Sequence, residues 1–475
     1  MMGSTVFDSF LFRDAFGTAA MREVFSDSGF VERIVRAEVA LAGAEATVGV
    51  IPRPAAMLIA ERADATRLDH DRLRRDTENV GYPILPVVTQ LVEQCGDAGR
   101  YIHWGATTQD IMDTATVLQC ADGLDLISAS LDRVRTALRR MAAEHIDTVA
   151  AGRTHLQQAV PITFGYRVAV WLSALDRHAE RLLEVRARDL MVQFGGAAGT
   201  LASLGGGTEG TAIRAALADE LGLRDPEITW HVARDGLVAI VGLLASIGGS
   251  IGKIALDISI MCADEFGEVA EPFVPGRGAS STMPQKRNPI SSELMIAAAK
   301  LLRDKSAAML DAMMQDFERA TGPWQVEWAA LPEAFLLLSS SLHQADFVLS
   351  GLQVDTARMR SNLELSHGLI VAEAVMMALA PMLGRHEAHH AVYEACRRAI
   401  DAGTDLAGEL QRHAEIAARL GTDKIEALCD PTGYLGSARR MTQAVLDRDV
   451  TTPASWNAPS SGSARRPARE DAASR

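Results

Sequence analysis

The stretch GLVAIVGLLASIGGSIGKIALDISIMC, residues 236–262, is the most apolar part of the chain. It is long enough to cross a membrane, but Lys253 and Asp257 interrupt it and several glycines and serines dilute it. A helix that is apolar around most of its circumference is also what the centre of a large helical bundle requires. We therefore predict a buried core helix here, and no membrane segment.

Helical periodicity extends from this stretch in both directions. Apolar residues recur near a period of 3.6 in residues 30–52, and runs without proline cover residues 163–194, 235–265 and 290–318. Such helices exceed the globular average of about a dozen residues, and no stretch shows a strand alternation of substance. The sequence predicts an all-α fold around a central bundle of long helices.

The helical pattern divides the chain into four segments. Residues 1–100 are predicted to form a domain of short helices, residues 101–350 the long-helix bundle, and residues 351–450 a second domain of shorter helices. The last segment, 451–475, is rich in Ser, Ala, Pro and Arg with few apolar residues, so we predict a disordered tail.

The composition excludes several classes of protein. The net charge of −14 argues against a nucleic-acid partner, because a polyanion requires a basic face. A local group of cations can still bind a small anionic substrate. The cysteines are odd in number and contain no Cys-x-x-Cys pair, which predicts a reducing, cytoplasmic location without disulfides or a zinc site; they are Cys95, Cys120, Cys262, Cys396 and Cys429. The start of the chain shows no signal-peptide pattern.

The first polar island in the helical pattern is YIHWGATTQDIMDTA, residues 101–115. Hydroxyl groups and backbone N–H groups at the start of a helix form a site for an anion, which favours Thr107, Thr108 and the nearby His103 as ligands. The alternative is ordinary helix capping by Thr108 or Asp110.

The second polar island is AGRTHLQQAVP, residues 151–161, in which Arg153, His155 and Gln158 lie close together. A single histidine is often a hydrogen-bonded core residue. With an ordinary pKa near neutrality, His155 is equally suited to move a proton at physiological pH.

The third polar island is GASSTMPQKRNP, residues 278–289. Its glycines and proline predict a mobile but shaped loop. Ser280 and Ser281 supply hydroxyls, Lys286 positive charge and Asn288 an amide that can donate to a carboxylate. The alternative, a solvated linker between helices, does not explain this combination of residues.

In this order, the three islands resemble the motifs of the fumarase/aspartase superfamily. ASSTMPQKRNP resembles its signature loop G-S-S-x-M-P-x-K-x-N-P, with Ala279 in place of the glycine. HWGATTQD resembles H-x-G-A-T-S-Q-D, with Thr108 at the serine, and GRTHLQ resembles G-R-T-H-x-Q. The resemblance covers roughly residues 5–450.

The resemblance implies a three-domain all-α fold and a homotetramer with a central twenty-helix bundle, in which three chains contribute to each active site. It implies elimination from a small dicarboxylate, a substituted succinate, through a carbanion stabilised as an aci-carboxylate. No metal or other cofactor is implied.

The resemblance also implies roles for individual residues. Ser280 matches the general base, His155 the general acid for the leaving group, and Glu293 the acid that orients this histidine. Lys286 and Asn288 match the groups that bind the carboxylate on which charge develops.

The resemblance implies that the remaining matches bind substrate. They are His103, Thr107, Thr108, Gln158, Arg234 and Ser281.

The three motifs are common to several branches of the superfamily, so other segments are needed to choose between the branches. Segments such as TWHVARD and ERATGPWQVEWAALPE resemble the branch of the carboxymuconate cycloisomerases and adenylosuccinate lyases. Because the cycloisomerases tend to have Trp at the position of His155, we expect a carbon–nitrogen lyase that removes an amino or nitro group from a substituted succinate and releases fumarate, as nitrosuccinate lyase does. The alternatives are 3-carboxy-cis,cis-muconate cycloisomerase, an adenylosuccinate lyase-like activity, and a non-enzymatic structural member of the fold.

Overall fold

The computed structural model describes residues 3–448. The predicted all-α class is confirmed, since 69% of the chain is helical. The predicted tail, 451–475, lies outside the described residues. The α-helices are α1 (Arg13–Phe16), α2 (Ala19–Val24), α3 (Asp27–Val48), α4 (Arg53–Arg62), α5 (His70–Val80), α6 (Ile84–Cys95), α7 (Thr108–Glu144), α8 (Phe164–Asp189), α9 (Glu209–Leu221), α10 (Asp235–Met261), α11 (Ile290–Asp311), α12 (Pro323–Gly351), α13 (Thr356–Glu364), α14 (Ala372–Leu383), α15 (Arg385–Ala402), α16 (Leu406–Arg412), α17 (Ala414–Leu420), α18 (Thr422–Cys429) and α19 (Ala438–Leu446).

Five long helices form the central bundle. Helices α7, α8, α10, α11 and α12 contain 37, 26, 27, 22 and 29 residues. They pack against one another and share one apolar core. Three of them, α8, α10 and α11, are the helices predicted from the long runs without proline.

Helix α10 contains nearly all of the apolar stretch 236–262. It is long and apolar enough to cross a membrane, and it packs against α8, α11 and α12 in the core. Its glycines allow close packing, because a Cβ atom added at Gly252 would lie 2.7 Å from the Cβ of Ala299 on α11. Lys253 and Asp257 form an ion pair on the outer side of α10, one helical turn apart.

Two further apolar clusters flank the bundle. One is formed by α3, α4, α6 and α9 with the start of α7, and the other by α14, α15, α16 and α18. The first cluster includes α9, so the N-terminal core takes in residues from the segment predicted as central. The domain boundaries at residues 100 and 350 stay a prediction.

Residues 3–448 contain four short strands that were not predicted from the sequence. Strands β1 (Val149–Thr154) and β2 (Gln157–Thr163) form an antiparallel hairpin, and β3 (Val269–Ala270) pairs with β4 (Gln353–Val354). Three consecutive residues of β1 are buried, and a bulge between Ala151 and Arg153 breaks the pairing. Because burial does not alternate along β1, the period-two signal of a strand is missing.

Candidate active site

The first polar island is held at the start of α7. Thr107 is the N-cap residue, and its backbone N–H donates to Asp110 Oδ2 at 2.9 Å. Asp110 is fully buried and also accepts from the backbone N–H groups of Gly195 and Gly196, at 3.0 and 2.9 Å. Thr107 and Thr108 are half-buried, so the helix start is both capped and accessible. Thr107 and Asp110 form a capping box, in which the Thr107 side chain accepts from the backbone N–H of Asp110, so ordinary helix capping engages Thr107 as well as Asp110.

His103 lies five residues before α7 in a left-handed backbone conformation, with φ of 60°. Its Nδ1 lies 2.7 Å from Oε1 of Glu38, a carboxylate of α3 that is 1% exposed. Burial acts to lower the pKa of His103, but the hydrogen bond and charge of Glu38, together with the charge of Asp110, raise that pKa above its ordinary value. Glu38 is a contact that the motif comparison did not identify.

Gln109 connects this island to the loop before α12. Its Nε2 donates to Asp113 Oδ2 at 3.1 Å and to the carbonyl of His231 at 2.8 Å, and its Oε1 accepts from Arg319 Nη1 at 2.9 Å. Arg319 also donates to the carbonyl of Ala197 at 2.8 Å. This half-buried guanidinium is a cation near the island that sequence reasoning missed, although it lies in the quoted segment ERATGPW.

The second polar island is the tip of the β1–β2 hairpin. His155 and Leu156 are the two residues between the strands, with φ of 52° and 63°. Two positive φ values in a two-residue turn correspond to the type I′ geometry, which matches the twist of a hairpin. Both side chains are exposed, and Leu156 is 65% exposed although it is apolar.

The stem of the hairpin is anchored by a buried carboxylate. Glu268 is fully buried and accepts two hydrogen bonds from Arg153, at 2.9 and 2.5 Å, and one from Asn362 at 2.9 Å. Gln158 uses its Nε2 to donate to the carbonyl of Asn362 at 2.6 Å. One of its two amide N–H groups is therefore engaged within the protomer, and among residues 3–448 its Oε1 has no hydrogen-bond partner, so a substrate contact of Gln158 stays a prediction.

The third polar island is a loop closed by its own backbone. The N–H of Asn288 donates to the carbonyl of Gly278 at 2.9 Å, and its side-chain amide donates to the same oxygen at 3.2 Å. A Cβ at Gly278 would lie 2.4 Å from the carbonyl oxygen of Asn288, and φ there is 68°, so the loop requires glycine. Lys286 and Ser281 are exposed at the tip.

Ser280 lies inside this loop and is half-buried. Its Oγ accepts from the backbone N–H groups of Thr282 and Met283, at 3.2 and 2.9 Å. Two N–H groups directed at one oxygen favour negative charge on it. This is one feature expected of a serine that acts as a base, and that role stays a prediction.

A buried carboxylate also anchors the base of this loop. Glu271, 8% exposed, accepts from the backbone N–H groups of Ser291 and Ser292 at the start of α11, at 3.3 and 2.8 Å. Glu293 follows in the first turn and is exposed. A carboxylate in this position is also favoured by the N-terminal end of the helix dipole.

Arg234 is placed differently from the other candidates. It precedes α10 directly, is 1% exposed, and donates two hydrogen bonds each to Asp113 and Glu327, with distances from 2.5 to 2.9 Å. Although burial opposes its charge, Asp113 and Glu327 raise the pKa of Arg234. Because its guanidinium is enclosed by two carboxylates, this placement argues for a structural role and against substrate contact.

Within one protomer the three islands have separate partners. The first island is held by residues near 195, 231 and 319, and the second by Glu268 and α13. In the third island, Arg287 donates to the backbone carbonyl of Glu271. A cavity of about 670 Å³ lies between α3, α4 and α9, and its lining includes no predicted site residue. Among residues 3–448, no group of three or more His, Cys, Asp or Glu side chains is arranged to hold a metal ion.

Comparison with known proteins identifies relatives over nearly the whole length. A family model described as lyase matches residues 15–301, and one described as adenylosuccinate lyase C-terminus matches residues 368–445. The chain is 45% identical to a 3-carboxy-cis,cis-muconate cycloisomerase of Pseudomonas aeruginosa, covering 92% of this chain and 95% of that one. It is 46% identical to trans-aconitate decarboxylase 1 of Mycosarcoma maydis, covering 92% and 88%.

Two solved structures are similarly close. A fumarate lyase from Mesorhizobium sp. BNC1 is 55% identical, with a TM-score of 0.85 and coverage of 91% of this chain and 98% of that one. The 3-carboxy-cis,cis-muconate lactonizing enzyme from Pseudomonas putida is 42% identical, with a TM-score of 0.85 and coverage of 91% and 97%.

These comparisons correct the predicted reaction. The expectation of a carbon–nitrogen lyase is wrong, because the named relatives of higher identity include several cycloisomerases, whereas nitrosuccinate lyase of Streptomyces davaonensis is 39% identical. A histidine at position 155 therefore does not by itself indicate a leaving group that needs protonation.

The structural role of Arg234 is testable by substitution. Arg234→Met should destabilise the protein by about 3–5 kcal/mol, because it leaves Asp113 and Glu327 buried together without a cation. The measurement is the denaturant midpoint of unfolding, with Arg319→Met as the control at a half-buried cation nearby. A normal midpoint with a raised KM would instead show that Arg234 binds substrate.

Proposed function

Because the chain belongs to the lyase family of the fumarase/aspartase superfamily, we propose that it is a cycloisomerase of an unsaturated tricarboxylate such as 3-carboxy-cis,cis-muconate. The observation that carries the proposal is the 45% identity to such a cycloisomerase over 92% of the chain. The substrate named for the decarboxylase relative, trans-aconitate, is also an alkene with three carboxylates. The cycloisomerase and the decarboxylase relatives are thus both named for unsaturated tricarboxylate substrates, although the named reactions differ.

The proposed reaction joins a carboxylate oxygen of the substrate to one carbon of its own double bond. A proton is delivered to the neighbouring carbon, so a lactone forms and no atom is lost. In the reverse direction a base removes the proton next to a carboxylate, negative charge spreads onto that carboxylate, and the ring C–O bond then breaks. The step needs a proton carrier and groups that stabilise the enolate-like charge.

Ser280 is the proposed proton carrier. The N–H groups of Thr282 and Met283 support negative charge on its Oγ. Lys286, on the same loop, is exposed and is proposed to bind the carboxylate on which charge accumulates. Closure of the loop over the substrate would exclude water and strengthen both interactions.

The first island supplies the proposed binding site for a second carboxylate. His103, held next to Glu38, provides positive charge, and the half-buried Thr107 and Thr108 provide hydroxyls at the N-terminal end of α7. Local cations thus suit a tricarboxylate although the chain has a net charge of −14.

We further propose that the protein is a homotetramer with active sites shared between chains. Each protomer contributes five long helices to its bundle, so four copies would supply the twenty helices that the superfamily resemblance implies. The hairpin tip and the loop expose apolar side chains, among them Leu156, Phe273 and Met283. Such surfaces favour contact with other copies of the chain.

The reaction is tested by adding 3-carboxy-cis,cis-muconate to the purified protein. Cycloisomerisation removes conjugation, so we expect loss of the ultraviolet absorbance of the diene, with a lactone of unchanged mass as product. Ser280→Ala should reduce turnover by about 10² or more, as the loss of a general base commonly does. Consumption of trans-aconitate with release of CO₂, and none of carboxymuconate, would contradict cycloisomerisation but retain the substrate class.

The role of His155 is tested separately. A carboxylate is a weak base, with an ordinary pKa near 4, and leaves the ring without prior protonation. His155→Trp should therefore keep turnover within about tenfold of wild type. A loss of 10² or more, with KM unchanged, would restore a general-acid role for this histidine.

Sharing of the active site is tested by mixing inactive variants. Ser280→Ala and His103→Ala alter different islands, so reassembly of a 1:1 mixture should restore about a quarter of the wild-type rate under random assembly. Ser280→Ala mixed with Lys286→Ala is the control, because both changes lie in one loop and cannot complement. No recovery in the first mixture, with mixed tetramers shown by native mass spectrometry, would contradict shared sites.

A further inference from the structure

Helix α3 places two buried carboxylates behind the first island. Glu38 and Glu45 are 1% and 0% exposed. They are separated by seven residues, which is about two helical turns, so both face the same side of α3. Neither residue belongs to a motif that sequence analysis singled out.

Glu38 is bonded to the island directly. Its Oε1 lies 2.7 Å from His103 Nδ1, and among residues 3–448 its Oε2 has no hydrogen-bond partner. A carboxylate at Nδ1 fixes the ring orientation and leaves Nε2 as the nitrogen that can reach a ligand. The His103 side chain is 21% exposed, so its ring is not completely buried.

Glu45 has different surroundings. Within the described residues neither of its oxygens has a hydrogen-bond partner. Burial, with a smaller contribution from the charge of Glu38, raises the pKa of Glu45 to about 9. Glu45 is therefore neutral at physiological pH.

The charged groups that act on His103 come from two helices. They are Glu38 on α3 and Asp110 on α7. Asp110 is itself engaged by His231 Nε2 at 2.7 Å and by the backbone N–H groups of Gly195 and Gly196. Glu38 is thus the carboxylate in direct contact with the ring of His103.

We propose that Glu38 is a positioning residue that fixes the ring of His103 through Nδ1, favours the protonated form of this ring and leaves its Nε2 to donate to a substrate carboxylate. The second half of this inference rests on the proposed function, since it requires a carboxylate substrate. The first half concerns His103 alone and is testable without any substrate.

The test follows acylation of His103 by diethyl pyrocarbonate as a function of pH, read by mass spectrometry of the peptide. The reagent attacks neutral imidazole, so the rate rises as pH passes through the pKa of His103. In the wild type the midpoint should lie above the ordinary value of 6.5. In Glu38→Gln only burial and Asp110 remain, so the midpoint should fall by about one pH unit or more.

Two variants serve as controls. Glu45→Gln replaces a neutral acid by a neutral amide and should leave the acylation profile unchanged below pH of about 8. Glu38→Asp keeps the charge and should retain a midpoint above that of Glu38→Gln. Thermal unfolding of all three variants establishes that each is folded.

The second readout is binding of propane-1,2,3-tricarboxylate, which has three carboxylates and no double bond, by titration calorimetry. Wild-type affinity should fall as pH rises through the His103 midpoint, and Glu38→Gln should bind about tenfold more weakly at pH 7. The proposal is overturned if Glu38→Gln leaves the acylation midpoint in place, if Glu45→Gln moves it equally, or if tricarboxylate affinity does not follow it. Failure of the proposed function is separate: carboxymuconate is then not consumed, although the midpoint still shifts.

Discussion

The guanidinium of Arg234 lies between two carboxylates at the point where three helices of the bundle come together. Asp113 belongs to the second turn of α7, Glu327 to the second turn of α12, and Arg234 immediately precedes α10. Buried charges are costly unless they are paired and fully hydrogen-bonded, and here Trp324 and Gln109 also donate to Asp113. The cluster therefore fixes the relative positions of the helix ends around the first island. Helix α7 cannot shift without breaking these bonds.

Buried carboxylates recur behind each of the three islands. Glu38 contacts His103, Glu268 holds Arg153 at the hairpin, and Glu271 caps α11 below the loop. Each is removed from solvent: Glu38 and Glu268 accept from side chains of their islands, and Glu271 accepts from the start of α11, the helix that follows the third island. These three carboxylates are thus neutralised in part by the donors that they orient, and they are not part of an exposed acidic surface.

Much of the fold could be predicted from the sequence, because long amphipathic and apolar periodicities specify helices directly. The hairpin at His155 could not be predicted in this way. Its tip lacks the Asn-Gly pair that is typical of a type I′ turn, and consecutive residues of β1 are buried, so no alternating pattern marks the strand. The motif comparison predicted a role for Ser280 and its loop, but Glu38 lies 65 residues before its partner His103 and has no local signal in the sequence. Arg234 was predicted to bind substrate, and its guanidinium is enclosed by carboxylates. The sequence alone does not show whether a cationic side chain faces a ligand or a buried carboxylate.

The two-residue hairpin tip presents His155 with little conformational freedom. Its strands are paired up to Thr154 and Gln157. Replacing the exposed side chain at the tip would therefore change the conformational entropy of folding little and would remove no packing from the core. The side chain at the tip can therefore change without disturbing the packing that stabilises the fold. One substitution there can change what reaches the substrate, whereas the helices that support it can remain as they are.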